Sequence, residues 1–295
     1  MLINVLLLLL SVFAASTAVI MIKASTVHPV LLASFRLFVA AFALLPVFVR
    51  DLRRHRDAYT REHLRLSIVP GLVLAVHLIT WIVGARMTPT ANASLIVNLV
   101  PLAMPFFLVW LADEPLTRSE ILATFIALSG VVILTASDLS LSTEYFVGDL
   151  ICFGSMLFYA LYMALGRRNR IVPTVWLYLV PLYGVAALVS LVVAIFFVNP
   201  IQPYSAEDVA LILGLGIVPT VIGHSLLNYA MKHFRGQIVS IVNMGQFVFA
   251  GIMGYFLFNE TPAWSFYVAS ALLMASAWIA VRPKLALYAG EASAG

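Results

Sequence analysis

Two pairs of residues stand out because they place polar groups inside long apolar stretches at one-turn spacing. His77 and Trp81 lie in "HLITW", and His224 and Asn228 lie in "GHSLLN". Residues four apart stack on one face of a helix, so each pair presents its groups together. Asn98 shares a face with Ser94 in the same way, and Asn243 and Gln246 share one at a spacing of three. Such groups can bind a small polar molecule or line a water-filled path, because polar side chains in hydrocarbon are costly and usually face inward. They can equally bond across helices at close contacts, and packing is the expected role of Ser94 and Ser240. An imidazole, with an ordinary pKa of about 6.5, could also carry a proton. Arg36 is the only charge well within an apolar stretch. It either snorkels to the outer headgroups or pairs with a carbonyl, or it attracts an anionic substrate group.

Enzyme chemistry would need a convergent catalytic set. No Asp or Glu lies in the middle of an apolar stretch, no Cys–His pairing accompanies the histidines, and there is no H-E-x-x-H. The single cysteine, Cys152, excludes an intrachain disulfide and any cysteine-cluster metal site. No cofactor and no metal are expected. Glu114 and Glu260 end two apolar stretches next to Pro115 and Thr261-Pro262. They are read as termination features and hinge anchors.

These residues need elements to hold them. The chain has 295 residues, 63% hydrophobic and only 10% charged. A soluble domain carries about 25% charged residues, so this composition cannot cover a sphere in water. The apolar blocks approach the ~20 residues that cross a bilayer as a helix. Ten such spans are expected near 2–22, 29–49, 65–85, 90–111, 118–136, 146–166, 172–198, 207–230, 237–258 and 263–281. The start lacks a positive n-region, and its apolar run is too long for a signal peptide, so it is read as an uncleaved first span. The sequence pI of 9.3 does not indicate nucleic acid, because the basic residues are scattered over short gaps. They are not scattered at random. With the N-terminus in the cytoplasm, 14 of the 17 Lys and Arg fall in inner loops, and only Lys23 and Arg86 face out. Both termini are therefore expected in the cytoplasm.

The chain also repeats. "ASLIVNLVPLAMPFFLVWLADEPLT" matches "VSIVNMGQFVFAGIMGYFLFNETPA" at an offset of 146 positions (239 less 93). At 147, His77 falls on His224 and Trp81 on Asn228. The chain thus divides into two halves of five helices, and an odd number makes the second half enter from the opposite side. The expected fold is all-α and polytopic: ten transmembrane helices in two inverted-topology five-helix repeats. The repeats run over 1–136 and 146–284, with an outer linker at 137–145 and a cytoplasmic tail at 285–295.

"LASFRLFVAAFALLP", "ANASLIVNLVPL", "WLADEPLT", "ALYMALGRR" and "GHSLLNYAMK" through "LFNE" resemble, in this order, the drug/metabolite transporter superfamily, EamA type. The resemblance implies a central cavity lined by helices 1, 3, 4, 6, 8 and 9, and export of small metabolites or amino acids. It carries an arginine at the position of Arg36 whatever the substrate, which favours the structural role there. The sequence departs from the family in reading "LADE" and "LFNE" without the usual Gly, and in placing Phe247 where a helix-kinking Pro is common.

The expected function is a secondary transporter of small neutral or zwitterionic metabolites, amino acids first, exporting by alternating access across the cytoplasmic membrane. Its substrate contacts are expected at Arg36, His77, Trp81, Asn98, His224, Asn228, Asn243 and Gln246. Its partners are the substrate and membrane lipids, with proton coupling through His77 or His224 or none, no nucleic acid, and a monomeric state. The alternatives are uptake or exchange of a small anion steered by Arg36, and an intramembrane enzyme or scaffold.

Overall fold

The computed structural model describes residues 2–88, 90–138, 145–258 and 264–293. Every regular element among them is helical. Among the described residues, nine helices are long and apolar enough to cross a membrane. They are Ile3–Ala24, Pro29–Arg54, Arg61–Met87, Ala93–Ala112, Phe146–Ile171, Val175–Ile195, Ala206–His233, Gly236–Met253 and Trp264–Pro283. A further helix of 21 residues, Arg118–Asp138, stands between the fourth and fifth of these. Numbered in chain order, the ten are spans 1 to 10. Helices suit this chain because hydrocarbon offers backbone groups no other partner.

Some ends differ from the sequence pattern. Span 2 continues to Arg54, and the last helix passes through Pro283 to Ser293, where a tail was expected from 285. Span 3 opens on a short helix, Arg61–Arg65, whose first turn is capped by reciprocal bonding of Thr60 and His63.

Spans 4 and 9 are each broken in two. Span 4 consists of Thr90–Val97, 8 residues, and Val100–Ala112, 13 residues. Span 9 consists of Gly236–Asn243, 8 residues, and Gln246–Phe258, 13 residues. Both segments of span 9 start 146 positions after their counterparts (236 less 90, 246 less 100). At each break the backbone tightens to bonds three residues back: Asn98 N–H to the Leu95 carbonyl at 3.1 Å, and Gly245 N–H to the Val242 carbonyl at 2.9 Å. In span 4 the cause is Pro101, which has no N–H to give the Val97 carbonyl. Span 9 breaks at the same place without a proline. There Gly245 is intrinsically poor in a helix, and a Cβ on it would lie 3.0 Å from the Val242 carbonyl oxygen. Phe247 therefore does not remove the interruption; it moves the cause two residues back.

The packing obeys the same two-fold relation. Span 3 packs along span 6, and span 8 along span 1. Span 2 packs along span 7, span 5 along span 10, and the halves of span 4 cross those of span 9. The symmetry reaches single contacts. Ser276 Oγ donates to the Ala123 carbonyl at 2.6 Å. The equivalent pair 146 positions away is Gly130 and Ala269, where a Cβ would lie 3.1 Å from the Ala269 carbonyl. Gly71 lets span 3 reach the Leu182 carbonyl of span 7, and Gly216 lets span 8 reach the Arg36 carbonyl of span 2. Without a strong hydrophobic drive between helices in lipid, such close approach through small residues is what holds them.

Candidate substrate site

A central cavity lies where the halves meet, with about 480 Å³ of empty space including its open side. Its wall includes Arg36, His77, Trp81, Ser94, Asn98, Tyr159, His224 and Gln246. Only about 30 Å³ of it admits the centre of a water molecule, room for roughly two waters. In this conformation the site is narrow.

One side of the wall is aromatic. The His77 ring stacks on Tyr159 with centroids 4.6 Å apart and planes at 9°. Tyr162 continues the stack at 6.3 Å from Tyr159. His224 tilts against all three rings, 6.4 Å from His77, 5.7 Å from Tyr159 and 6.0 Å from Tyr162. The two imidazoles are held differently. His77 Nδ1 contacts the Ser155 carbonyl at 3.0 Å and Ser155 Oγ at 2.9 Å, and Ser155 Oγ donates to the His77 carbonyl. His224 Nδ1 has no hydrogen-bond partner among the described residues.

The wall also carries polar groups. Asn98 Nδ2 donates back to the Ser94 carbonyl at 2.7 Å, while Asn98 Oδ1 is buried without a partner among the described residues. Gln246 Nε2 donates to Asn243 Oδ1 at 2.8 Å, across the break in span 9. Arg36 does not snorkel: it is 1% exposed and lies inside the bundle. Its Nε and Nη2 both donate to Thr220 Oγ1, at 3.0 and 2.8 Å, and its Nη1 has no partner among the described residues. Thr220 sits in a π-helical stretch of span 8, Gly216–His224, that contains Pro219. Its hydroxyl donates to the Leu215 carbonyl five residues back at 2.7 Å. The wide turn thus turns a backbone irregularity into a polar handle for Arg36, a use typical of π-bulges at functional sites.

Six of the eight expected residues meet here: Arg36, His77, Trp81, Asn98, His224 and Gln246. Asn243 stands behind Gln246 and does not line the cavity. Asn228 faces away. Its Nδ2 donates to the Tyr162 hydroxyl at 2.6 Å and to the His224 carbonyl at 2.8 Å, so it holds the backbone of His224 and not its imidazole. Asn228 also lines a smaller pocket with Gly166, Asn169, Arg170, Tyr178 and Lys232. Asn228 therefore belongs to a pocket other than the central cavity. His224 and Asn228 do lie one regular helical turn apart, but that turn is a step of about 6 Å along the axis, and it carries Asn228 out of the central cavity and into the smaller pocket. Ser94 lines the cavity, whereas Ser240 Oγ bonds the Gln237 carbonyl as a packing residue.

Span 1, which the family resemblance places at the cavity, contributes Ala15, Ser16 and Val19, whereas sequence reasoning missed Ser155 and Thr220. Nothing in their types marked them. It also missed a buried latch. Glu114 Oε2 pairs with Arg167 at 2.6 Å, and its Oε1 accepts from the Gly236 N–H at 2.8 Å. One carboxylate thus ties the end of span 4 to the end of span 6 and the start of span 9. Glu260 lies outside the described residues. Among the described residues, no group of three or more His, Cys, Asp or Glu side chains is placed to hold a metal.

A cavity between two-fold-related halves, bounded by two helices broken at equivalent positions, is the arrangement of inverted-repeat transporters. The EamA-like transporter family model matches residues 1–136 and 146–282. The chain belongs to this family. Within the EamA-like transporters it is 26% identical over 248 residues, 84% of each chain, to an uncharacterized transporter of Archaeoglobus fulgidus. It is 25% identical over 199 residues, 66% of this chain and 68% of the other, to the aromatic amino acid exporter YddG of Ancylobacter novellus. A solved crystal structure superposes on 94% of this chain and 96% of its own with a TM-score of 0.75 at 19% identity, a likeness of fold. The chain is a multi-pass membrane transporter.

Proposed function

We propose that this EamA-like transporter exports small zwitterionic metabolites, amino acids first among them, across the cytoplasmic membrane. The observation that carries the reading is the composition of the central cavity. Aromatic rings at His77, Tyr159 and Trp81 share its wall with polar groups at Arg36, Asn98 and Gln246. An amino acid needs both kinds of surface. The similarity to a relative named an aromatic amino acid exporter supports an aromatic side chain as the first to try.

The mechanism is alternating access, one repeat rocking against the other about the breaks in spans 4 and 9. The repeats are taken as 1–136 and 146–284. With 14 of 17 basic residues on the inner side, both termini are cytoplasmic. In that orientation the smaller pocket at Asn228 lies toward the cytoplasm, below the central cavity. The monomer is the working unit. A second reading, exchange of a small anion, is favoured by the unpartnered Nη1 of Arg36.

The experiment is thermal unfolding of the purified protein with a panel of amino acids and organic anions, followed by flux of the hits in proteoliposomes. A ligand that binds the folded state raises the melting temperature. If no amino acid both stabilises the protein and moves through it, the reading fails.

A further inference from the structure

Arg36 carries a charge that no described residue neutralises. Among the described residues the ion pairs are Arg50–Asp51, Arg167–Glu114 and Arg235–Glu120, all at span ends or inner loops. Arg36 has the neutral Thr220 hydroxyl instead. An unpaired buried cation is among the most expensive groups a fold can hold, and the cost falls when an anion and further hydrogen bonds complete it. The guanidinium is also fixed in place. Two of its nitrogens are spent on Thr220, and the third, Nη1, belongs to a side chain that lines the cavity and is left without a partner. Asn98 Oδ1, an unpartnered acceptor on a residue 3% exposed, lines the same cavity.

We propose that Arg36 Nη1 receives the carboxylate of the transported molecule and that Asn98 Oδ1 receives its ammonium group. The inference rests on the transport reading above and narrows it: the site takes molecules with a free carboxylate and discriminates against the matching amides and amines. The fixed geometry explains why an arginine serves here. Its planar fork can hold Thr220 with one edge and offer another N–H to the ligand, which a lysine ammonium on a flexible stem cannot do at once. The aromatic wall then takes the side chain. A carboxylate bound this way also screens Arg36 from the hydrocarbon, so the loaded cavity closes more readily than the empty one.

The test uses the unaltered full-length protein and four probes: L-phenylalanine, phenylalaninamide, phenethylamine and 3-phenylpropionate. Thermal unfolding against concentration gives an apparent affinity for each. The expected result is tightest binding of phenylalanine, weaker binding of 3-phenylpropionate, and losses of roughly ten- to a hundredfold for phenylalaninamide and phenethylamine, the worth of a charge-assisted hydrogen bond. Equal binding of phenylalanine and its amide overturns the carboxylate subsite and leaves transport of amino acids standing. Binding of 3-phenylpropionate with no amino acid overturns the amino-acid reading and leaves the carboxylate subsite standing. Binding of none of the carboxylates overturns both. Two variants add a second line. Thr220→Val releases Arg36 without removing its charge, and is expected to weaken phenylalanine and 3-phenylpropionate alike while leaving phenethylamine unchanged. Arg36→Gln is expected to abolish the preference for acid over amide. A preserved preference in a folded Arg36→Gln protein overturns the proposal.

Discussion

The rings of His77 and His224 lie 6.4 Å apart, although the two residues come from equivalent positions in opposite halves of the chain. A two-fold axis brings together whatever lies near it, so the doubled histidine of the sequence becomes one paired feature. The surroundings break the symmetry. Ser155 fixes His77, Tyr159 stacks on it, and His224 Nδ1 has no partner among the described residues. Position within the repeat decides where a residue lies, and its neighbours decide what it can do.

His77→Ala is therefore expected to act on stability. It removes the contacts with Ser155 and the stack on Tyr159, a loss of about 1–2 kcal/mol on the scale of interhelical hydrogen bonds and ring pairs. Thermal unfolding in detergent measures it. An unchanged melting temperature contradicts the structural role.

His224→Gln is expected to fold normally, weaken substrate binding, and leave the pH dependence of flux as it was. Flux across a pH series in proteoliposomes gives the answer. Loss of the pH dependence with affinity intact would mean that His224 carries the coupled proton, against this expectation.

Gly166 and Asn228 give a cleaner packing test. A Cβ at residue 166 would lie 2.6 Å from Asn228 Oδ1. Gly166→Ala is expected to destabilise by about 1–3 kcal/mol through overpacking. Asn228→Ala removes the obstacle, so the double variant should regain most of what Gly166→Ala loses. Additive losses in a double-mutant cycle would show that the two residues do not touch.

The fold was largely legible because its causes are local or periodic. Apolar length marks the spans, basic residues mark the inner loops, and the 146-position offset of Thr90–Val97 and Gly236–Asn243 places the breaks in corresponding helices. The site was only partly legible, and Asn228 shows why. Helical spacing assigns a face but not a depth: Asn228 lies one regular turn, about 6 Å, along span 8 from His224, and that step takes it from the central cavity to the smaller pocket. The bond from Arg36 to Thr220 spans 184 positions, and no spacing rule connects them. Glu114 was visible as a helix end, but its partner Arg167 sits 53 positions away and looked like one more inner-loop charge.

The topology makes a simple prediction. A C-terminal fusion to a reporter active only in the cytoplasm should be active, and a fusion to one active only outside should be silent, because 14 of 17 basic residues lie on one side. The opposite pattern would mean either an odd number of crossings or an inverted orientation of all ten spans, and the same reporters at the N-terminus separate the two.

The Glu114–Arg167 latch yields the last prediction. Both side chains are 9% exposed, and the glutamate also accepts the Gly236 N–H, so the pair fastens three spans at their inner ends. Arg167 donates further to the Met231 carbonyl of span 8. For the inner side to open, these bonds must break together. Glu114→Gln keeps an oxygen for Gly236 and removes the charge that holds Arg167. Breaking a buried pair from one side costs about 3–5 kcal/mol in a rigid core. In a transporter part of that cost can be relieved by opening, so the variant should favour the state in which the inner pocket is exposed. The pocket offers a place to see this, because Thr174 lines it and Cys152 is the single cysteine of the chain. In a Cys152→Ala background, Thr174→Cys should react slowly with a membrane-impermeant thiol reagent applied from the cytoplasmic side. Adding Glu114→Gln should speed the reaction several-fold, and a cysteine at Trp81, in the central cavity, should become slower from the outer side. If both labelling rates stay unchanged while stability falls, the pair is a static brace and the inner ends of spans 4, 6 and 9 do not part during transport.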